Sequence, residues 1–210
     1  INANEKDKIA EKISYFTGLD KKGILQNNIN LSTSFFWKEL LREEGKTIGR
    51  LDSRYTGIDK NDSGNIVDYN AEMSAWDHAF TPAINYYLQN ELKFKLDAKY
   101  NTWARYDYSV RPWNRDNVRV RDNLRLAMAE NPFLKVLIQS GYYDGATTYF
   151  SAKFTMWQID PSGKMKDRFF FRGYRSGHMM YLRKDDLSSA NDDLRDFIIN
   201  TSYNGKPAKY

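Results

Sequence analysis

The chain has 210 residues, 41% of them apolar and 15% aromatic, which excludes a disordered polypeptide and suits one domain or a domain with a lobe. Its formal net charge of +5 arises from 32 basic against 27 acidic residues, and cysteine is absent, so disulfides, Cys-ligated zinc and thiol catalysis are excluded within it. No apolar run approaches the roughly 20 residues of a membrane span, so no membrane association is expected.

The start, Ile1-Asn2-Ala3-Asn4-Glu5, has the character of a cut point in a longer protein, so that any export signal would lie upstream. From Glu5 to Phe16 the spacing predicts a helix with Ile9, Ile13 and Phe16 on its inner face, stopped by Gly18. Ser32 to Glu44 repeats the pattern with Phe36, Trp37, Leu40 and Leu41, closed by Gly45. A longer helix is expected from about Ala75 to Leu92, with Ala79, Ala83, Tyr86 and Tyr87 inward and Pro82 kinking or splitting it. His78 falls inside it and is assigned to packing or a local hydrogen bond. Between these helices, Asp59-Lys60-Asn61-Asp62-Ser63-Gly64-Asn65-Ile66 matches the first eight positions of an EF-hand calcium loop. Its twelfth position is Asn70 in place of the bidentate glutamate, and Gly57 argues against an entering helix, so calcium is not expected there.

Aromatic residues are dense from Tyr100 to Trp113 (Trp103, Tyr106 and Tyr108 among them), and packing over a core is the favoured role. Arg105 to Arg125 interleaves arginine with Asp107, Asp116 and Asp122. That mixture suits a salt-bridged surface, and nucleic-acid binding, which needs positive charge on one face, is not expected. The second half changes style. Asn117 to Glu130 is amphipathic, with Val120, Leu124, Ala127 and Met128, and Asn131-Pro132 ends it. Leu134 to Ile138 predicts a buried strand, about Thr147 to Trp157 a helix, and Asp160-Pro161-Ser162-Gly163 a turn. Arg168 to Arg172 predicts the next strand. A last helix spans about Asp186 to Asn200, with Leu187, Ala190, Leu194, Phe197 and Ile198 at helical spacing. The order strand, helix, strand, loop, helix is that of a parallel sheet with crossover helices, so the fold class is α/β.

Two side chains in this half carry chemistry. Asp144 lies six residues past Ile138, just beyond a strand's carboxyl end, where open α/β sheets gather functional groups. An Asp-Gly turn accounts for the same dipeptide, and position alone does not separate the two. His178 follows the next strand in a glycine-flanked loop, 34 residues after Asp144. A neutral imidazole between a carboxylate and a hydroxyl can accept a serine's proton, the carboxylate fixing the tautomer. Taken alone, such a histidine suits the surface or a packed site. In this order the pair matches the later two members of a Ser…Asp…His triad in α/β-hydrolases. The first member is missing: no Gly-x-Ser-x-Gly elbow exists in the chain, and Ser140 and Ser176, although near glycines, lie on no strand-to-helix turn.

The segments Asn131 to Leu137, Ser140-Gly141-Tyr142-Tyr143-Asp144 with Ala146-Thr147 and Tyr149-Phe150, and Gly177-His178-Met179-Met180-Tyr181-Leu182 carry a likeness. They resemble the C-terminal part of the serine carboxypeptidase family (peptidase family S10), especially its bacterial members. Gly49-Arg50-Leu51-Asp52-Ser53-Arg54-Tyr55-Thr56-Gly57 is similar to a segment of the same sequences, within the helical insertion above the sheet. The resemblance implies residues 1–115 as a mostly helical cap or insertion and residues 116–210 as the C-terminal part of an α/β-hydrolase core. It implies Asp144 as triad acid, His178 as triad base and Met179 beside the leaving-group pocket, with no metal or organic cofactor. Gly145 and Thr148 depart from the family's usual leucine and proline.

On this basis the expected function is hydrolysis of C-terminal peptide bonds by an exported serine carboxypeptidase. This chain would be its C-terminal fragment, inactive alone, since without a nucleophile the acyl-enzyme route is closed. The implied partners are a peptide substrate and the missing N-terminal half, with self-association through an exposed sheet edge when that half is absent. The alternatives are a non-catalytic binding module, its aromatic-basic stretch from Trp103 to Arg115 contacting glycan, peptide or nucleic acid, and a family member that keeps only a peptide cleft.

Overall fold

The computed structural model describes residues 1–98, 100–102, 120–205 and 207, and combines helices with two small sheets in a mixed α/β architecture. The aromatic-basic stretch holding Trp103, Tyr106, Tyr108 and Trp113 lies outside the described residues.

Helix α1 spans Ala3–Thr17 and opens on a capping box, in which Asn2 accepts from the Glu5 N–H and the Glu5 carboxylate accepts from the Asn2 N–H. Gly18 ends it with φ of +76°, a left-handed conformation that costs glycine nothing. The short α2 (Lys21–Gln26) and α3 (Thr33–Glu39) pack with it around a cluster of contiguous buried apolar residues, Ala10, Leu19, Ile24 and Phe35. Phe16, expected on the inner face, is 80% exposed, because Ala10, Ile13 and Thr17 take the buried side of α1. The helix expected from Ser32 to Glu44 stops at Glu39 and resumes as a 3-10 turn over Arg42–Glu44, since Leu41 leaves the helical region.

A two-residue hairpin follows, β1 (Thr47–Ile48) antiparallel to β2 (Thr56–Gly57). Beyond it the calcium-loop match is closed by the protein's own cation. Lys38 Nζ donates to Asp59 Oδ2 and to the Asn61 carbonyl, and the two side chains are 2% and 1% exposed. The other Asp59 oxygen accepts the Asp68 N–H at 3.1 Å. An ammonium thus takes the loop's first carboxylate.

Helix α4 (Met73–Tyr86) runs on as a π turn over Tyr87–Glu91. Its inner face differs from the expected one. Trp76 is buried and Phe80, Ile84 and Leu88 are half-buried, while Ala79, Ala83, Tyr86 and Tyr87 face outward. His78, two positions from Trp76, is turned to solvent and is not packed. Pro82 does not split the helix: it too is exposed, and the carbonyl it leaves without an N–H partner is that of His78 on the same outer side.

The second half is built on β3 (Val136–Gly141) and β4 (Phe169–Tyr174), parallel and in register from Val136–Phe169 to Gly141–Tyr174. Strand β3 starts two residues later than expected because Leu134 closes a turn onto the Asn131 carbonyl at 3.1 Å. Helix α6 (Tyr149–Ile159) joins the strands, and α7 (Lys184–Thr201) follows them. Phe170 meets Phe197 edge-on, and Gln139 donates to the Ala190 carbonyl, so this face of the sheet carries α7. Lys153 of α6 lies over the Phe171 ring on the opposite face. Arg168, buried just before β4, donates to the Met128 carbonyl at 2.7 Å and so satisfies the end of α5 (Val120–Glu130).

Each of these two strands pairs only with the other among the described residues. Rows of large apolar side chains stand outward on the flanking helices: Phe150, Phe154 and Trp157 on α6, and Leu187, Leu194 and Ile198 on α7. The last three were expected at helical spacing, and that spacing holds, but only Ala190 and Phe197 of that set are half-buried. Among the described residues no helix is long and apolar enough to cross a membrane.

Candidate functional site

Parallel pairing puts the carboxyl ends of β3 and β4 side by side, and the loops leaving them carry Asp144 and His178. The ladder extends past the strands, Tyr142 N–H reaching the Tyr174 carbonyl at 2.9 Å and Tyr143 N–H the Ser176 carbonyl at 3.0 Å. His178 Nδ1 then stands 2.8 Å from Asp144 Oδ2. The carboxylate is buried and the imidazole side chain is 44% exposed.

Asp144 accepts more than the ring. Its Oδ1 takes the N–H groups of Ala146 at 2.8 Å and Thr147 at 2.9 Å, and Oδ2 takes the Thr147 hydroxyl at 2.6 Å. Burial acts to raise this carboxyl. The hydrogen bonds from Thr147, His178 and Ala146 outweigh it and leave Asp144 below the ordinary aspartate value. An ionised Asp144 facing Nδ1 favours the tautomer with hydrogen on Nδ1, which turns the Nε2 lone pair outward. Nε2 has no hydrogen-bond partner among the described residues. Such an arrangement is chemically able to accept a proton at Nε2. These bonds also explain why α6 starts two residues later than its periodicity predicts. Thr147 spends its N–H and hydroxyl on Asp144, and Thr148 is the extended N-cap.

The segment from Gly49 to Gly57 lies across both loops. His178 N–H donates to the Leu51 carbonyl at 2.7 Å, Gly145 N–H to the Arg50 carbonyl at 3.0 Å, and Ser53 N–H to the Tyr143 carbonyl at 2.9 Å. Arg54 adds side-chain bonds, to Asp52 Oδ2 at 2.6 Å and to the Arg175 carbonyl at 2.8 Å, with its guanidinium over the Tyr143 ring. We call this segment the strap. Its contacts are mostly backbone to backbone, and sequence reasoning placed the segment only within an insertion above the sheet. The glycines at both ends were the available signal.

Glu72, fully buried at the N-cap of α4, holds the strap from below by accepting the Leu51 N–H at 2.8 Å. Among the described residues its Oε2 is buried without a hydrogen-bond partner. Burial, with the Asp52 charge adding, raises the Glu72 carboxyl above its ordinary value against the N–H groups of Glu72 and Leu51 and the Arg50 charge. A raised folded-state carboxyl binds its proton more tightly than the unfolded one. Its contribution to stability is therefore full below the unfolded value and declines as pH rises through the folded one. Glu72→Gln should match the wild type near pH 4 and become the more stable of the two toward pH 8, as Glu72 loses its proton. Urea midpoints measured across that range check this, and a Gln variant less stable at pH 8 would refute it.

Among the remaining expected positions, Met179 is half-buried beside His178, at the entry to a 3-10 turn over Met180–Leu182. Gly145 has no space for a side chain: a Cβ there would lie 2.6 Å from Trp37 Nε1 and 2.9 Å from the Arg50 carbonyl. Trp37 has taken that volume. Ser176 is buried and donates to Asp186, which also accepts from Arg183 at 2.7 Å, so its hydroxyl is engaged in structure. Beside Asp144 opens a cleft of about 470 Å³ walled by Phe36, Trp37, Tyr142, Tyr143, Tyr149 and Phe150.

Comparison of the chain with protein-family models, with curated proteins and with solved structures finds no match in any of the three.

Proposed function

We propose that the chain is the C-terminal portion of a serine carboxypeptidase, with residues 1–115 a mostly helical cap and residues 116–210 the end of an α/β-hydrolase core. The carrying observation is the 2.8 Å approach of Asp144 Oδ2 to His178 Nδ1 at the carboxyl ends of two parallel strands. In the complete enzyme a serine borne by the N-terminal half attacks the scissile carbonyl while His178 Nε2 takes its proton. Asp144 stabilises the resulting imidazolium, which passes the proton to the departing amine as the C–N bond breaks. Water then attacks the acyl-enzyme by the same route and restores the serine. Met179 borders the leaving group, and the aromatic cleft beside Asp144 suits an apolar substrate side chain.

The N-terminal half supplies further strands to the sheet as well as the nucleophile. The parallel edges left unpaired among the described residues and the outward apolar rows of α6 and α7 support this, because a two-stranded parallel sheet gains stability from neighbouring strands. Left alone, the chain self-associates through these surfaces. The location proposed is outside the cytoplasm.

The test uses the complete protein and an N-blocked dipeptide, with release of the free C-terminal amino acid as the readout. His178→Ala should lower kcat by about 10⁴-fold or more. The 210-residue chain by itself should release nothing. Full turnover by the alanine variant, or turnover by the isolated chain, overturns the proposal.

A further inference from the structure

We infer that Thr147 is a positioning residue, whose hydroxyl locks the Asp144 carboxylate and the His178 ring into one fixed geometry. Its catalytic meaning rests on the hydrolytic reading above, whereas its geometry does not. Thr147 Oγ1 lies 2.6 Å from Asp144 Oδ2 and 3.2 Å from His178 Nδ1, and those two atoms are themselves 2.8 Å apart. The three atoms close a triangle.

A hydroxyl has a single proton, and the shorter contact to an ionised oxygen takes it. The Thr147 lone pairs then face the ring. An unprotonated Nδ1 would oppose its own lone pair to a carboxylate oxygen and to a hydroxyl with no hydrogen left to give. A protonated Nδ1 satisfies both. Thr147 thereby strengthens the tautomer that leaves Nε2 free to act as base. The same residue also holds the other carboxylate oxygen through its backbone N–H at 2.9 Å. One residue grips both sides of Asp144, and its β-branched side chain has few rotamers in which to let go. Valine keeps the shape and the backbone bond, and removes only the oxygen. Serine keeps the oxygen.

The experiment uses the isotope-labelled chain, with no nucleophile and no peptide present. It follows the Asp144 carboxyl carbon through a pH titration and the ring nitrogens of neutral His178. In the wild type the ring is expected in the Nδ1–H form. Thr147→Val should shift the Asp144 titration upward by on the order of one pH unit and raise the Nε2–H fraction several-fold. Thr147→Ser should restore both. Should the valine variant not fold, Thr147→Ala serves the same comparison. A folded hydroxyl-free variant with unchanged Asp144 titration and unchanged ring tautomer overturns the inference, as does a serine variant that fails to restore them. A failed peptidase assay touches none of these readouts, so the two proposals fall separately.

Discussion

Gly141→Ala is expected to part Asp144 from His178 and to cost about 3 kcal/mol of stability. Gly141 is buried at the last rung of β3, where the chain leaving β4 turns back over it. A Cβ at this position would strike the carbonyl oxygens of Ser176 and Gly177. Both obstacles are backbone atoms, so no side-chain rotation relieves the clash, and the two strand ends must separate. The rungs beyond, Tyr142 to Tyr174 and Tyr143 to Ser176, are those that bring the two loops together. Denaturant unfolding of the variant reads the loss of stability. The ring-nitrogen spectrum of His178 reads the loss of its carboxylate partner. A variant within about 0.5 kcal/mol of the wild type, the ring still in its Nδ1–H form, would show that the loops tolerate the extra methyl.

Asp59→Ala should cost about 3–5 kcal/mol by stranding the Lys38 ammonium in a buried site. Lys38 and Asp59 are almost wholly out of solvent, and among the described residues the only other acceptor given to the ammonium is the Asn61 carbonyl. Much of that cost comes from the charge left behind. The double variant Lys38→Met with Asp59→Leu, which removes both charges and keeps the volume filled, should therefore regain most of it. Unfolding midpoints of Lys38→Met, of Asp59→Leu and of the double variant decide the matter. Additive losses in the double variant would mean that the pair contributes through its surrounding hydrogen bonds rather than through charge.

Strands β3 and β4 and helices α6 and α7 were legible because each is an apolar or amphipathic run long enough to display a period. Their ends drifted by one to three residues, at the start of α6 because Asp144 captures Thr147 and at the start of β3 because the Leu134 N–H closes a turn onto the Asn131 carbonyl. Helix α2 was missed because six residues with Gly23 among them show no periodicity. The hairpin of β1 and β2 is two residues a side, too short for alternation to appear. The face of α4 was misjudged because alanines and tyrosines suit either side, and only Trp76 and Phe80 were bulky enough to decide it.

Asp144 and His178, which the structure brings into contact, were singled out from their places after successive strands. The strap was not recognised, because the Arg50 and Leu51 carbonyls that hold the two loops belong to the main chain and leave no trace in residue type. Glu72 looked like any surface carboxylate. Nothing local in its sequence announces that it is buried.

The strap has a topological cost. Arg54 and the Arg175 carbonyl it grips are 121 residues apart in sequence, so closing that loop costs conformational entropy. The few contacts that hold the strap succeed because the chain is continuous and keeps the two parts at high mutual concentration. A single proteolytic nick between them would turn that docking into a bimolecular encounter. The loops of Asp144 and His178 would then lose their brace on dilution, even with every residue still present.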